Sequence, residues 1–146
     1  MRLILEPVNL TDRPSIVSIS GLGGHAFGSF KERDGNHMWL RDSLPCDLRY
    51  ENTTEPMARV MIYGYESGVR NSNSFQNLED LATSFHSSLL ALTRAPATRP
   101  IIFIAHSLGG LIVKQVSSMK LGILCMNGKF TLILGTDNVI KFKERG

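Results

Sequence analysis

The run Ile101-Ile-Phe-Ile-Ala-His-Ser-Leu-Gly-Gly-Leu111 constrains this chain more than any other stretch. Ile101 to Ala105 is apolar without alternation, as a strand buried on both faces of a parallel sheet must be. Leu108 to Met119 reads as a helix with Gly109 and Gly110 in its first turn. The residues two before and two after Ser107 are Ala105 and Gly109. Both are small, which a sharp strand-to-helix turn requires, because larger side chains would collide there. Such a turn holds a serine hydroxyl clear of the sheet, in a strained backbone conformation that costs of order 1–3 kcal/mol.

That placement gives Ser107 the setting of a nucleophile. The amino-terminal dipole of the following helix points at it, and the N–H of Leu108 is placed to donate to an oxyanion. A second donor is expected from Gly21-Leu22-Gly23-Gly24, through the N–H of Leu22 or Gly23. Removing one such donor typically costs about 10²–10³ in rate. A serine hydroxyl also needs a base, which in this architecture follows the serine in chain order. The four histidines are His25, His37, His86 and His106, and all precede Ser107. The expectation is therefore a catalytically incomplete site that lacks the base and acid of a triad. His25, in the glycine-rich loop, is the candidate for a substitute base. On a strand-like backbone His106 should point away from Ser107. His37 is assigned to the start of a short helix and His86 to a helix surface. Asp137 follows a possible strand and could mimic a triad acid.

The remaining elements place this turn in an α/β fold. Ser15-Ile-Val-Ser-Ile-Ser20 reads as a strand between Pro14 and Gly21, and Arg59-Val-Met-Ile-Tyr63 as a second, ended by Gly64. Asn36 is expected to cap a short helix through Met38, Trp39, Leu40 and Leu44, stopped by Pro45. A longer helix starts near Asn73, where Asn73 and Gln76 have capping-box spacing. Phe75, Leu78, Leu81, Ala82, Phe85, Leu89 and Leu92 then share one face, and Pro96 and Pro100 close the segment. Lys129 to Leu134 looks like one more strand, beside the central one. The order predicts a three-layer α/β sandwich with a mostly parallel sheet and right-handed crossovers.

At 146 residues the length suits one domain. Residues 1–119 hold 11 basic and 11 acidic side chains, whereas residues 120–146 hold five basic and two acidic. The basic tail has no interleaved aromatic residues for base stacking, so it reads as a solvated terminus and no nucleic-acid partner is expected. Residues 1–119 are assigned to the part that carries the Ser107 turn and 120–146 to a divergent basic tail with one possible strand. Two cysteines make no disulfide framework, which fits a reducing compartment. The apolar run near Met1 is too short for a secretory signal. No stretch approaches the roughly 18 apolar residues of a membrane span, so any membrane association is expected to be peripheral.

Four segments carry a resemblance to a known group. They are Gly21-Leu-Gly-Gly-His-Ala-Phe-Gly-Ser-Phe30, His37-Met-Trp-Leu-Arg-Asp42, Arg59-Val-Met-Ile-Tyr-Gly-Tyr65 and Ile101 through Gln115. In combination they resemble the amino-terminal half of α/β-hydrolases of the serine esterase and lipase group. The nearest likeness is to the lipase-like serine-active-site proteins of mitochondria and the endoplasmic reticulum. Similar stretches occur in fungal proteins that join such a domain to NACHT or ankyrin modules. The resemblance implies a truncated α/β-hydrolase fold, an ester or lipid acyl substrate, Ser107 as nucleophile, and an intracellular location at one of those two membranes. It implies no cofactor and no metal. Three features depart from the group's pattern. Ser20-Gly21 stands where His-Gly usually opens the oxyanion loop, Gly135-Thr136-Asp137-Asn138 only distantly echoes Gly-Thr-Pro-His, and the strands that deliver acid and base are absent.

Two other readings stay open. Gly21-x-Gly23-x-x-Ala26 after a strand matches a dinucleotide fingerprint, although Phe27 to Gly35 shows no helical apolar face. The second is a non-catalytic fragment that binds a lipid or a protein. Its half sheet would expose a strand edge to self-association or to a partner chain.

Overall fold

The computed structural model describes residues 13–66, 77–93, 100–118 and 130–134. Strands β1 (Ser15–Ile19), β2 (Arg59–Tyr63), β3 (Ile101–Ala105) and β4 (Phe130–Leu134) form one sheet in the order β2-β1-β3-β4. All three pairings are parallel. Ile19 lies opposite Tyr63 on one side and Ala105 on the other, and Ala105 lies opposite Leu134. The carboxyl ends of all four strands therefore share one edge of the sheet. β1 is central and buried at every position. The expected strand at Lys129–Leu134 is present as β4, beside β3.

Alternation along the strands divides the core into two faces. Val17, Ile19, Met61, Tyr63, Phe103 and Ala105 point to the side covered by α3 (Leu78–Thr93) and α4 (Leu108–Ser118). From those helices come Leu81, Ala82, Phe85, Leu89, Ile112, Val113 and Val116, all buried. The Phe85 ring lies 4.6 Å from Tyr63 and 5.8 Å from Phe103, centroid to centroid. The opposite face is smaller. Val60, Ile62 and Ile104 pack there against buried Phe30, Met38 and Leu40, which come from a 3-10 turn at Gly28–Phe30 and from α1 (Trp39–Asp42). Helices on both sides of a parallel sheet make the three-layer α/β sandwich that the sequence predicts.

Helix boundaries differ from expectation in three places. α3 is capped by Asn77, whose Oδ1 accepts the Asp80 N–H at 2.8 Å, while the Asp80 carboxylate accepts the Asn77 N–H at 3.4 Å. The expected cap at Asn73 and Gln76 lies outside the described residues, as does Phe75. The short helix begins after Met38 rather than Asn36, and its amino end is closed from within. There the Asp42 carboxylate accepts the Met38 N–H at 2.7 Å. Pro45 does not stop that helix but sits in the first turn of α2 (Leu44–Asp47), where its missing N–H is of no consequence. His86, expected on a helix surface, is buried, and its Nε2 has no hydrogen-bond partner among the described residues.

Candidate active site

Ser107 is the one residue between β3 and α4 with a left-handed backbone, at φ 51°. An L-residue pays roughly 1–2 kcal/mol for that conformation, so the surrounding structure must impose it. Three contacts do so. The His106 N–H donates to the Ile19 carbonyl at 3.2 Å, extending the β1–β3 ladder by one step. The Gly109 N–H closes onto the His106 carbonyl at 3.0 Å, and the Gly110 N–H onto the Ser107 carbonyl at 2.9 Å. The chain must thus leave the sheet and enter a helix within two residues. Ser107 is exposed at the apex.

The two small neighbours of Ser107 lie in closely packed surroundings. Ala105 is 1% exposed within the core. A Cβ on Gly109 would stand 2.7 Å from the Ser20 carbonyl oxygen and 2.8 Å from that of Ile19. These are backbone atoms of β1's exit and cannot swing aside. Leu108 is the first residue of α4, and the first N–H groups of a helix have no intrahelical acceptor.

The loop after β1 lies directly against this turn. A Cβ on Gly21 would come 2.7 Å from His106 Nδ1 and 3.0 Å from Ser107 Cβ. Only glycine lets the two segments approach so closely. Leu22 and Gly23 are the central residues of a turn closed by the Gly24 N–H on the Gly21 carbonyl at 3.1 Å. Gly23 has φ 69°, which suits the third position of a type II turn, where glycine is needed. Both expected donor residues are exposed, at the same sheet edge as Ser107. A dinucleotide fingerprint would need a helix opening at these glycines; the chain instead makes this turn and then the 3-10 turn at Gly28–Phe30.

Polar contacts fix the rest of the loop. His25 Nδ1 accepts the N–H of Gly28 at 3.1 Å and of Phe27 at 3.3 Å. The His25 carbonyl accepts the Ser29 N–H at 2.9 Å. The Arg41 guanidinium lies 5.7 Å from the centre of the Phe27 ring and pairs with Asp42 at 2.6 Å. Hydrogen bonds from Arg41 and then from the Met38 N–H hold the Asp42 carboxyl well below the usual carboxylate range. On the other side the Tyr65 hydroxyl donates to the Ser20 carbonyl at 2.9 Å, and burial pushes that phenol up, which keeps it a neutral donor. The loop after β2 also touches the same segment, since a Cβ on Gly64 would meet Ala26 Cβ at 3.2 Å.

The structure thus brings together Ser107, Leu108, Ala105, Gly109 and the Gly21–Gly24 turn. His106 is exposed, with its ring directed to Gly21. His37 Nε2 lies 2.8 Å from Ser43 Oγ, a contact that ties the start of α1 to the start of α2. Asp137 lies outside the described residues, with the Gly135–Asn138 stretch. Sequence reasoning missed Arg41, Asp42 and Tyr65 as supports of the loop. The adjacent opposite charges of Arg41 and Asp42, on the short helix that begins at Trp39, were the available signal. Among the described residues no three His, Cys, Asp or Glu side chains converge as metal ligands would. No described helix is long and apolar enough to cross a membrane.

Comparison with known proteins gives distant relatives. Protein SERAC1 of Homo sapiens is 26% identical over 127 residues, which cover 77% of this chain and 19% of that protein. Protein SERAC1 of Mus musculus is 27% identical, and that of Bos taurus 24% identical, over stretches of the same length. The match spans about a fifth of each relative's length. No protein-family model matches the chain, and no solved structure does. The chain is thus similar, at 24–27% identity, to a segment of protein SERAC1.

Proposed function

We propose that this chain carries the nucleophile and oxyanion side of a serine hydrolase site that acts on an ester or lipid acyl group. The observation that carries the reading is the left-handed backbone of exposed Ser107 at a strand-to-helix turn, with Gly21 packed against Ser107 and Gly109 against the Ser20 and Ile19 carbonyls. In this reading Ser107 Oγ attacks the acyl carbon and forms a new C–O bond. The carbonyl electron pair moves onto oxygen and is met by the N–H of Leu108 and that of Leu22 or Gly23. When the carbonyl re-forms, the alcohol departs with the proton that Ser107 gave up, and water later releases the acyl group.

The proton of Ser107 needs a carrier, and no histidine follows Ser107 in this sequence. His25 Nδ1 already accepts two backbone N–H groups, which favours a second reading alongside the first, in which the chain keeps the turn and binds a lipid or a protein without turnover. The outer strands of the sheet, β2 and β4, then offer a surface for a second copy or a partner. Location at mitochondrial or endoplasmic-reticulum membranes belongs to the same proposal and rests on family resemblance.

A fluorophosphonate probe separates the two readings. Covalent labelling that disappears in Ser107→Ala supports the hydrolase site, and absence of labelling favours the binding reading. On short acyl esters, the hydrolase reading without a base expects a residual rate of about 10³-fold over water, supplied by the oxyanion donors and binding and little changed in Ser107→Ala. Turnover at the level of a complete triad would overturn the incomplete site.

A further inference from the structure

We propose that His25 is a positioning residue of the loop facing Ser107, clasping the N–H groups of Phe27 and Gly28 through Nδ1, and that it is not the base. The inference rests on the reading of Gly21–Gly24 as the oxyanion side of the site. Backbone N–H groups can only donate, so the ring atom that meets them must present its lone pair. A neutral imidazole that accepts at Nδ1 carries its proton on Nε2. Nε2 then has no lone pair to take a proton from Ser107, and the Nδ1 lone pair already faces two donors, at 3.1 and 3.3 Å.

The contacts lead from this ring to the nucleophile. With its side chain and its carbonyl, His25 accepts the backbone N–H groups of Phe27, Gly28 and Ser29. That winds the chain into the 3-10 turn that buries Phe30. The same winding brings the Ser29 hydroxyl against Gly24, where a Cβ would stand 2.6 Å from Ser29 Oγ. Gly24 in turn closes onto Gly21, and Gly21 abuts Ser107. Releasing His25 leaves the far end of the Gly21–Gly24 turn without its backing.

The test uses the whole chain as wild type, His25→Asn and His25→Ala. An asparagine Oδ1 can occupy the acceptor position of Nδ1 and take the N–H two residues on, but it cannot act as a base. Imidazole ¹⁵N shifts of the wild type at neutral pH should show the Nε2–H tautomer of His25; an Nδ1–H tautomer overturns the proposal. Amide exchange at Phe27 and Gly28 should speed up about fivefold in His25→Ala, the equivalent of one ordinary hydrogen bond, and stay near wild type in His25→Asn. Equal acceleration in both variants overturns it. If His25→Ala does not fold, the wild-type tautomer and His25→Asn still decide.

Fluorophosphonate labelling of Ser107 links the two proposals. It should fall by about 10- to 10²-fold in His25→Ala through misplacement of the site and be retained in His25→Asn. If wild type labels and His25→Asn loses labelling as fully as His25→Ala, positioning fails and the hydrolase reading stands. If wild type does not label while the tautomer and exchange results hold, the hydrolase reading fails and the loop role of His25 stands.

Discussion

Two segments meet at the carboxyl edge of the sheet, and they are held by different means. The turn from Ala105 to Gly110 is fixed sterically. Its strand lies between two neighbours, its helix packs into the larger core, and its glycine is pressed against backbone oxygens. The loop from Gly21 to Phe30 rests on the smaller core and is held by polar contacts: an imidazole acceptor, a guanidinium over a ring, and a tyrosine hydroxyl. A nucleophile needs a fixed position, and close packing supplies one because packed atoms cannot yield. Oxyanion donors need a direction, which hydrogen bonds supply at lower stability and with more sensitivity to their surroundings. The contrast assigns stability to one segment and adjustability to the other.

The largest expected effect comes from Gly109→Ala. Alanine usually favours a helix interior over glycine by about 1 kcal/mol, yet here its methyl would meet the Ser20 and Ile19 carbonyl oxygens. Overpacking of this kind typically costs about 1–3 kcal/mol, so a lower denaturant midpoint is expected. A midpoint at or above wild type would break the claim that sterics fix the turn. Ser107→Gly should act in the opposite direction. Relief of the left-handed strain, less the extra freedom of glycine in the unfolded chain, is expected to raise stability by about 0.5–1 kcal/mol, with loss of probe labelling. Chemical denaturation checks both variants together.

The smallest effect belongs to the loop and has a pH signature. Asp42 has a lowered pKa when folded, chiefly through its hydrogen bond to Arg41. Its contribution is therefore present above the unfolded carboxylate value of about 3.9 and is lost as pH falls from there toward the folded value. The melting temperature of Asp42→Asn should sit slightly below wild type at neutral pH, and the gap should close in strong acid. The pair is exposed and screened, so a gap as large as that of Gly109→Ala would erase the distinction between the two segments.

This division also explains what could be read in advance. Steric rules are local, so Ala105-x-Ser107-x-Gly109 announced its turn, and the unbroken apolar run of β3 announced a buried parallel strand. The fold class followed from element order. Polar positioning is not local in the same way. The glycines from 21 to 24 marked a turn, but that His25 accepts two N–H groups depends on a rotamer, and that Arg41 lies over Phe27 depends on how α1 docks. The cap of α3 lies at Asn77, and because Asn77 and Asp80 have the same spacing as Asn73 and Gln76, spacing alone does not choose between the two pairs. Pro45 read as a stop because proline breaks helices in their interior but opens them at the first turn. His86 lies at the border of an apolar stripe, where tertiary cover decides burial.

The sheet order has a consequence for biosynthesis. β1 is an interior strand and the earliest of the four to be made, yet Ser15 aligns with Arg59 on one flank and with Ile101 on the other. Ribosomal output must therefore run through β3 before the oldest strand is enclosed on both sides. Pairings so remote along the chain are slow to form, and an unpaired apolar strand is open to aggregation meanwhile. A nascent chain of this kind is a natural client for chaperones until its third strand emerges.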